Sequence, residues 1–261
     1  MPLIREAAVS GMFYPDDPVA LQTTIRQLLE KVPLLAHHFR AIITPHAGYI
    51  YSGETAAHAY KQLSKVKDKI QRIILIGPAH RVPFSGIATS SVDYFETPLG
   101  NIPLDKKANQ DLQQFAQITL FDEAHAQEHS LEVHLPFLQT VLDNFTLVPL
   151  VVGDSDIESI SEVLDFFWHD PGSFFVISSD LSHFLKYTEA RALDRQTASA
   201  ILAMNPDDIG YEQACGRMPI NGFLHLAKKY HLNAVQLDLK NSGDTAGSKD
   251  RVVGYGAFGF E

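Results

Sequence analysis

Short, continuous apolar runs recur along this chain, each bounded by proline, glycine or charged residues. They span Ala41–Thr44, Ile73–Ile76, Thr146–Val152, Phe174–Ser178, Ala234–Leu239 and Val252–Phe258. Runs of this length suit strands buried on both faces, as in a parallel or mixed sheet covered by helices. Between them the apolar spacing turns helical. Asp17–Lys31 carries Leu21, Ile25, Leu28 and Leu29 on one face, the stripe of an amphipathic helix. Glu54–Leu63 follows Ser52-Gly53, Thr188–Met204 is rich in alanine, and Pro219–Tyr230 opens with proline at its first turn, where a missing N–H costs nothing. Ser155 and Glu158 have the spacing of a capping box heading a helix to about Phe167. Gly86–Ile102, with Val92, Tyr94, Phe95 and Pro98, predicts a small antiparallel excursion. Without repeats or a Ser/Gly linker, the alternation predicts an α/β fold in a single domain over residues 1–261: a mixed, mostly parallel central sheet with helices on both faces.

Composition narrows the function classes. A net charge of −10 and a pI near 5.6 argue against nonspecific nucleic-acid binding, which needs a basic surface, and against an anionic membrane surface. No apolar run approaches the ~20 residues that span a bilayer. The opening MPLIREAAVSGMFYP has an early Arg and Glu and no signal-peptide apolar region. The single cysteine, Cys215, excludes an intrachain disulfide. Together these predict a cytoplasmic protein without membrane or nucleic-acid partners.

The candidate chemistry lies on loops that follow the apolar runs. His46 follows AIIT-P and His80 follows IILIG-PA. Parallel sheets place their active-site crevice outside the carboxyl ends of the strands, and histidine is both the commonest metal ligand and a usual acid/base group. Pro45 holds Thr44 extended, while Gly48 and Gly53 permit a tight turn. Each loop alone reads equally well as a capped strand-to-helix turn. Two histidines on neighbouring strand ends make a natural pair of ligands for metals of the zinc and iron group.

Three further segments add to the pair. In AQEHSLEVHLPFL, His129 and Glu132 share a helical face and His134 does not. The spacing is not HExxH, so His129, beside Glu128, is the pocket residue and His134 reads as packed. In SSDLSHF, Asp180 is placed to orient His183, or else to cap a following turn. In NSGDTAGS, Asp244 is the candidate oxygen ligand, although SGD is also a good turn. Arg217 suits an anion at the pocket rim or a surface carboxylate. His37, His38, His58, His125, His169, His225, His231 and Cys215 carry no supporting context and read as structural.

Over essentially the whole chain, the ordered motifs REAAVSGMFYP, PHAGYIYSGETAAHAY, GPAHRVP, SSVDYFETPLG, EHSLEVHLPFL, SSDLSHF, CGRMPI and NSGD…VVGYGAF resemble the Memo family, also called protein B of the AmmeMemoRadiSam system. That family is similar to class III extradiol dioxygenases, non-haem iron enzymes that cleave catechol-type rings. The resemblance implies two histidine ligands, carried by His46 and His80, and active-site histidines at His129 and His183. For the third ligand the dioxygenases use a carboxylate, and eukaryotic Memo relatives a cysteine in the loop before the final strand. Thr245 aligns opposite that cysteine, with Asp244 one residue before it. If Asp244 completes the site, it is a facial triad favouring Fe(II), with zinc, manganese or copper as alternatives. The implied function is a non-haem iron oxidoreductase or dioxygenase in which His129 and His183 move protons, Asp180 orients His183, and Arg217 and Thr245 contact the substrate. The alternatives are a non-catalytic pocket for a peptide or small anionic ligand, and a metal-dependent hydrolase. The resemblance also implies a functional link to radical-SAM and AMMECR-type proteins.

Overall fold

The computed structural model describes residues 2–261. In chain order, the elements are β1 (Ile4–Arg5), α1 (Pro18–Lys31), β2 (Ala41–Thr44), α2 (Tyr49–Tyr60), β3 (Arg72–Pro78), β4 (Ile87–Thr89), β5 (Tyr94–Thr97), β6 (Gly100–Pro103), α3 (Lys106–Leu112) and β7 (Ile118–Leu120). There follow α4 (Glu123–Ala126), α5 (Leu135–Val141), β8 (Thr146–Val152), α6 (Ile157–Trp168), β9 (Ser173–Ser178), β10 (His183–Leu185), α7 (Tyr187–Leu202), α8 (Arg217–Lys229), β11 (Ala234–Asn241) and β12 (Val252–Phe260).

One large mixed sheet runs β10-β12-β2-β9-β3-β8-β4-β7, with β11 paired along β12. Its centre, β2-β9-β3-β8, is parallel. The strands flanking that centre, β12 and β4, pair antiparallel to it. The apolar runs are the central strands, and their continuous character has the expected cause. Ile73 and Leu75 of β3 enter one core while Ile74 and Ile76 enter the other, and Phe174 and Val176 of β9 alternate with Phe175 and Ile177 in the same way. Helices α1, α2 and α5 cover the first face through residues such as Leu21, Ile25, Tyr60 and Phe137. Helices α6, α7 and α8 cover the second through Ile160, Leu164, Ile201 and Phe223. Full burial of such a side chain contributes about 1.5–3 kcal/mol, so the two-faced core is the main source of stability. Among the described residues, no helix is long and apolar enough to cross a membrane.

Local departures from the sequence expectations have identifiable causes. Helix α2 begins at Tyr49 rather than Glu54, so Gly53 lies inside a helix and not in a turn. A Cβ at Gly53 would come 2.9 Å from Leu28 Cδ1, so the glycine lets α1 and α2 pack closely. Asp156 rather than Ser155 caps α6, its carboxylate accepting from the Ser159 N–H at 2.7 Å. The predicted excursion divides in two. β5 and β6 form an antiparallel pair beside β1 in a separate small sheet, whereas β4 joins the main sheet.

The N-terminal segment is tied down by a buried ion pair. Arg5 Nη1 donates to Glu132 Oε2 at 2.5 Å, with both side chains almost fully buried. Arg5 also donates to the carbonyls of His125 (2.9 Å) and Glu128 (2.7 Å). Glu132 further accepts from the Ala8 and Val9 N–H groups and from the Tyr14 hydroxyl at 2.6 Å. Removing one member of a buried pair strands the other charge, at a cost of about 3–5 kcal/mol. Arg5→Met is therefore expected to lower unfolding free energy by about that much, measured from urea midpoints. A loss within the roughly 0–1 kcal/mol of an exposed pair would contradict this.

Candidate functional site

The carboxyl ends of β2, β9 and β3 converge on one crevice. Thr44 of β2 registers with Ser178 of β9, and β9 in turn pairs with β3. The strands bearing His46 and His80 are therefore not neighbours, contrary to the sequence expectation, because β9 lies between them. The two loops lean over the end of β9, and the rings meet edge to face with centroids 5.2 Å apart. His129 joins them from the loop before α5, its ring 5.4 Å from His46 and stacked 4.7 Å from His80. The expected helix start at His129 is instead an irregular loop ahead of a 3₁₀ turn at Glu132–His134.

Cys215 completes the cluster, a role its sequence context did not suggest. Its Sγ lies 3.4 Å from His46 Nε2, and one ligand atom each from His46, His80 and Cys215 falls within 4.8 Å of the others. The residue sits just ahead of α8, where its N–H donates to the Asp180 carbonyl at 3.3 Å. Gly216 makes that closure possible: a Cβ there would meet the Ser178 carbonyl oxygen at 2.5 Å. The available signal was a lone cysteine followed by glycine at a helix start, which points to a close backbone approach. Burial, and then the nearby Asp180 carboxylate, push the Cys215 thiol up to about 12.

A second convergence, of His80, Glu128 and His129, also brings ligand atoms within 4.8 Å, but Glu128 is already engaged. Its Oε1 accepts from His80 Nδ1, His129 N–H and Ser130 N–H, each at 2.9 Å. Its Oε2 accepts from the His80 N–H at 2.5 Å. Although burial raises it, bonds from His80 and Ser130 bring this carboxyl down to about 2. An ionised carboxylate can only accept, so His80 presents Nδ1–H to it and keeps a lone pair on Nε2. Glu128 thus orients His80 as outer carboxylates orient metal-binding histidines. His129 Nδ1 is buried 3.3 Å from the same Glu128 Oε1, without the geometry of a hydrogen bond. Burial first, and His80 second, push this ring down to about 4.

The remaining predicted residues divide between the cluster and other places. Asp180 is in the crevice, but its carboxylate holds the His46 backbone N–H at 2.9 Å rather than the His183 ring. His183 instead donates Nδ1–H to the Leu181 carbonyl at 2.8 Å. Burial raises the Asp180 carboxyl to about 6, against the lowering influence of His183. His183, His80, Cys215 and Arg217 line one cavity of about 670 Å³. Asp244 is not brought to the histidines. It closes a capping box with Asn241 and accepts from the Tyr187 hydroxyl at 2.5 Å, so its carboxylate faces the β11–β12 turn. Thr245 follows it, donating to the Ser242 carbonyl at 3.2 Å. The SGD segment thus serves as the turn that its composition also suited. His134, expected to be packed, is buried and bonded to Ser178 Oγ at 2.8 Å.

A profile of Memo-like proteins matches residues 5–258. The chain is 33% identical to a MEMO1 family protein of Aquifex aeolicus, covering 97% of each chain. It is 34% identical to one of Methanosarcina barkeri, covering 97% of this chain and 98% of that one. Protein MEMO1 of Homo sapiens is 31% identical over 97% and 96% of the two chains.

The buried histidines around this loop make a pH prediction. Burial, aided by Arg5, lowers His125 to about 4, and burial lowers His134 to about 3. Both lie below the unfolded value of about 6.5, so the unfolded chain binds more protons once pH falls under 6.5. Their contribution is fully present above that pH and is lost toward pH 4 for His125 and pH 3 for His134, at up to about 1.4 kcal/mol per pH unit for each histidine. Urea midpoints of metal-free protein should therefore fall between pH 7 and pH 5, and a flat profile there would refute the buried neutral state.

Proposed function

The chain belongs to the Memo family, and from that premise we propose that His46, His80 and Cys215 hold a divalent metal serving a dioxygenase-type oxidoreductase. One observation carries the reading: Cys215 Sγ and His46 Nε2 face each other at 3.4 Å beside a His80 ring whose other nitrogen is committed to Glu128. Ligands held at about 2.0–2.3 Å from a tetrahedral metal stand roughly 3.5 Å apart; the His46–Cys215 pair already has that spacing, and a His80 nitrogen lies within 4.8 Å of both. A buried thiol raised to about 12 stays protonated at neutral pH unless a cation ionises it, so metal uptake releases a proton.

When bound, the metal supplies a Lewis-acid centre, and with iron a redox centre. The chain's own residues do the rest. His129, neutral at pH 7, accepts a proton from a ligand beside His80. His183 presents the nitrogen opposite its Leu181 bond to the shared cavity and serves as the second proton group. Arg217, turned over the Tyr211 ring at 5.0 Å, contacts the anionic part of a small substrate. Such proton transfer is worth about 10²–10⁴-fold in rate. Asp180 acts by holding the His46 backbone rather than by touching substrate.

The family resemblance to extradiol dioxygenases favours Fe(II). The thiol ligand favours a second reading, a zinc hydrolase, because thiolate with imidazole is a preferred zinc donor set. Elemental analysis of anaerobically purified protein separates them. Iron is expected in wild type and in Asp244→Asn, lost in His46→Ala and Cys215→Ser, with O₂ uptake on catechol-type substrates. Zinc with hydrolytic activity would favour the second reading, and no metal in any sample would overturn both.

A further inference from the structure

The fully buried Ser178 hydroxyl, at the end of β9, touches one metal-facing histidine, one structural histidine and one carbonyl. Its Oγ lies 2.6 Å from the Ser130 carbonyl oxygen, 2.6 Å from His46 Nδ1 and 2.8 Å from His134 Nε2. A serine hydroxyl has one proton and two lone pairs. The carbonyl can only accept, so the proton goes to Ser130. The two lone pairs then require N–H groups from both rings. His46 is left with its proton on Nδ1 and its lone pair on Nε2, the atom facing Cys215 Sγ.

We infer that Ser178 is a positioning residue that fixes the tautomer of His46, with His134 and Ser130 occupying the remaining bonds so that its hydroxyl cannot turn. The inference rests on the metal reading for its purpose but not for its geometry. Were the hydroxyl to rotate and donate to His46, the Ser130 carbonyl would lose this bond and His46 would aim an N–H at the thiol. His134 satisfies the second lone pair, which gives a buried histidine a function where an apolar residue would otherwise pack. The arrangement parallels Glu128 at His80, with a neutral acceptor in place of a carboxylate. The two rings therefore turn their Nε2 lone pairs into the crevice through unlike partners, one charged and one neutral.

Long-range ¹H–¹⁵N correlation spectra of the metal-free protein test this directly, with the His46 signals assigned by their absence in His46→Gln. The Nδ1–H form is expected in wild type, and a loss of that single form is expected in Ser178→Ala. A purely structural serine would leave the ¹⁵N pattern of His46 unchanged. Zn(II) affinity, read by chelator competition, should fall about 10–100-fold in Ser178→Ala, the usual effect of removing an outer partner of a ligand. Wild-type His46 protonated on Nε2 would overturn the inference even if Ser178→Ala fails to fold, as would an unaltered tautomer in a folded Ser178→Ala. If wild type and His46→Ala bind Zn(II) equally poorly while wild-type His46 still carries Nδ1–H, the metal reading falls and the tautomer assignment stands.

Discussion

The carboxylate of Glu132 is the point from which the crevice is hung. It lies on a 3₁₀ turn, with no strand to hold it, between the loop that carries Glu128 and His129 and the helix that follows. Its four donors come from residues 5–14, more than a hundred positions away. The contact thus clamps the N-terminal segment onto a loop with little regular structure of its own. An ionised carboxylate in an apolar core is tolerated only when its lone pairs are met. The same clamp settles Phe13 against the His129 ring, 5.0 Å between centroids, and the Phe13 carbonyl receives the first N–H of α2 at 2.8 Å. Two walls of the pocket are therefore set by a charge that does not enter it.

Around the cluster, polar groups mostly bind other groups of the site. Glu128 gathers the backbone of two loops and one ring; Asp180 gathers the His46 loop; Ser178 gathers two rings and a carbonyl. Burial lowers the basicity of His46, His129 and His134, which keeps the rings neutral and their lone pairs available. The low dielectric that makes each orphaned group costly also makes each satisfied bond directional.

The central strands were legible because burial on both faces writes itself as an unbroken apolar run, and His46, His80, Asp180 and His183 were legible because they follow such runs. The order of the strands was not. Nothing in IILIG or AIIT says that FFVIS lies between them, since crossover connections leave no local trace. Cys215 was missed for a related reason. Its partners lie at positions 46 and 80, and only the tertiary path of the chain ahead of α8 brings it there. Asp244 drew attention through a strand-end loop that resembles the others, but its carboxylate is spent on its own turn, as aspartate in such a segment often is, and on the Tyr187 hydroxyl. Helix starts shifted by a few residues because caps depend on which side chain meets an orphan N–H, as Asp156 does in place of Ser155.

The interposition of β9 turns the sheet into a ruler. Hydrogen-bonded strands stand about 4.8 Å apart, so the backbones bearing His46 and His80 are separated by roughly twice that distance. This gauge is held by ladder bonds and two cores. The chain segment carrying Cys215 lies outside the ladder, just ahead of α8. The ladder sets the span between the two histidine backbones, and the thiol meets it from a segment held by the Asp180 carbonyl and the Ser179 hydroxyl.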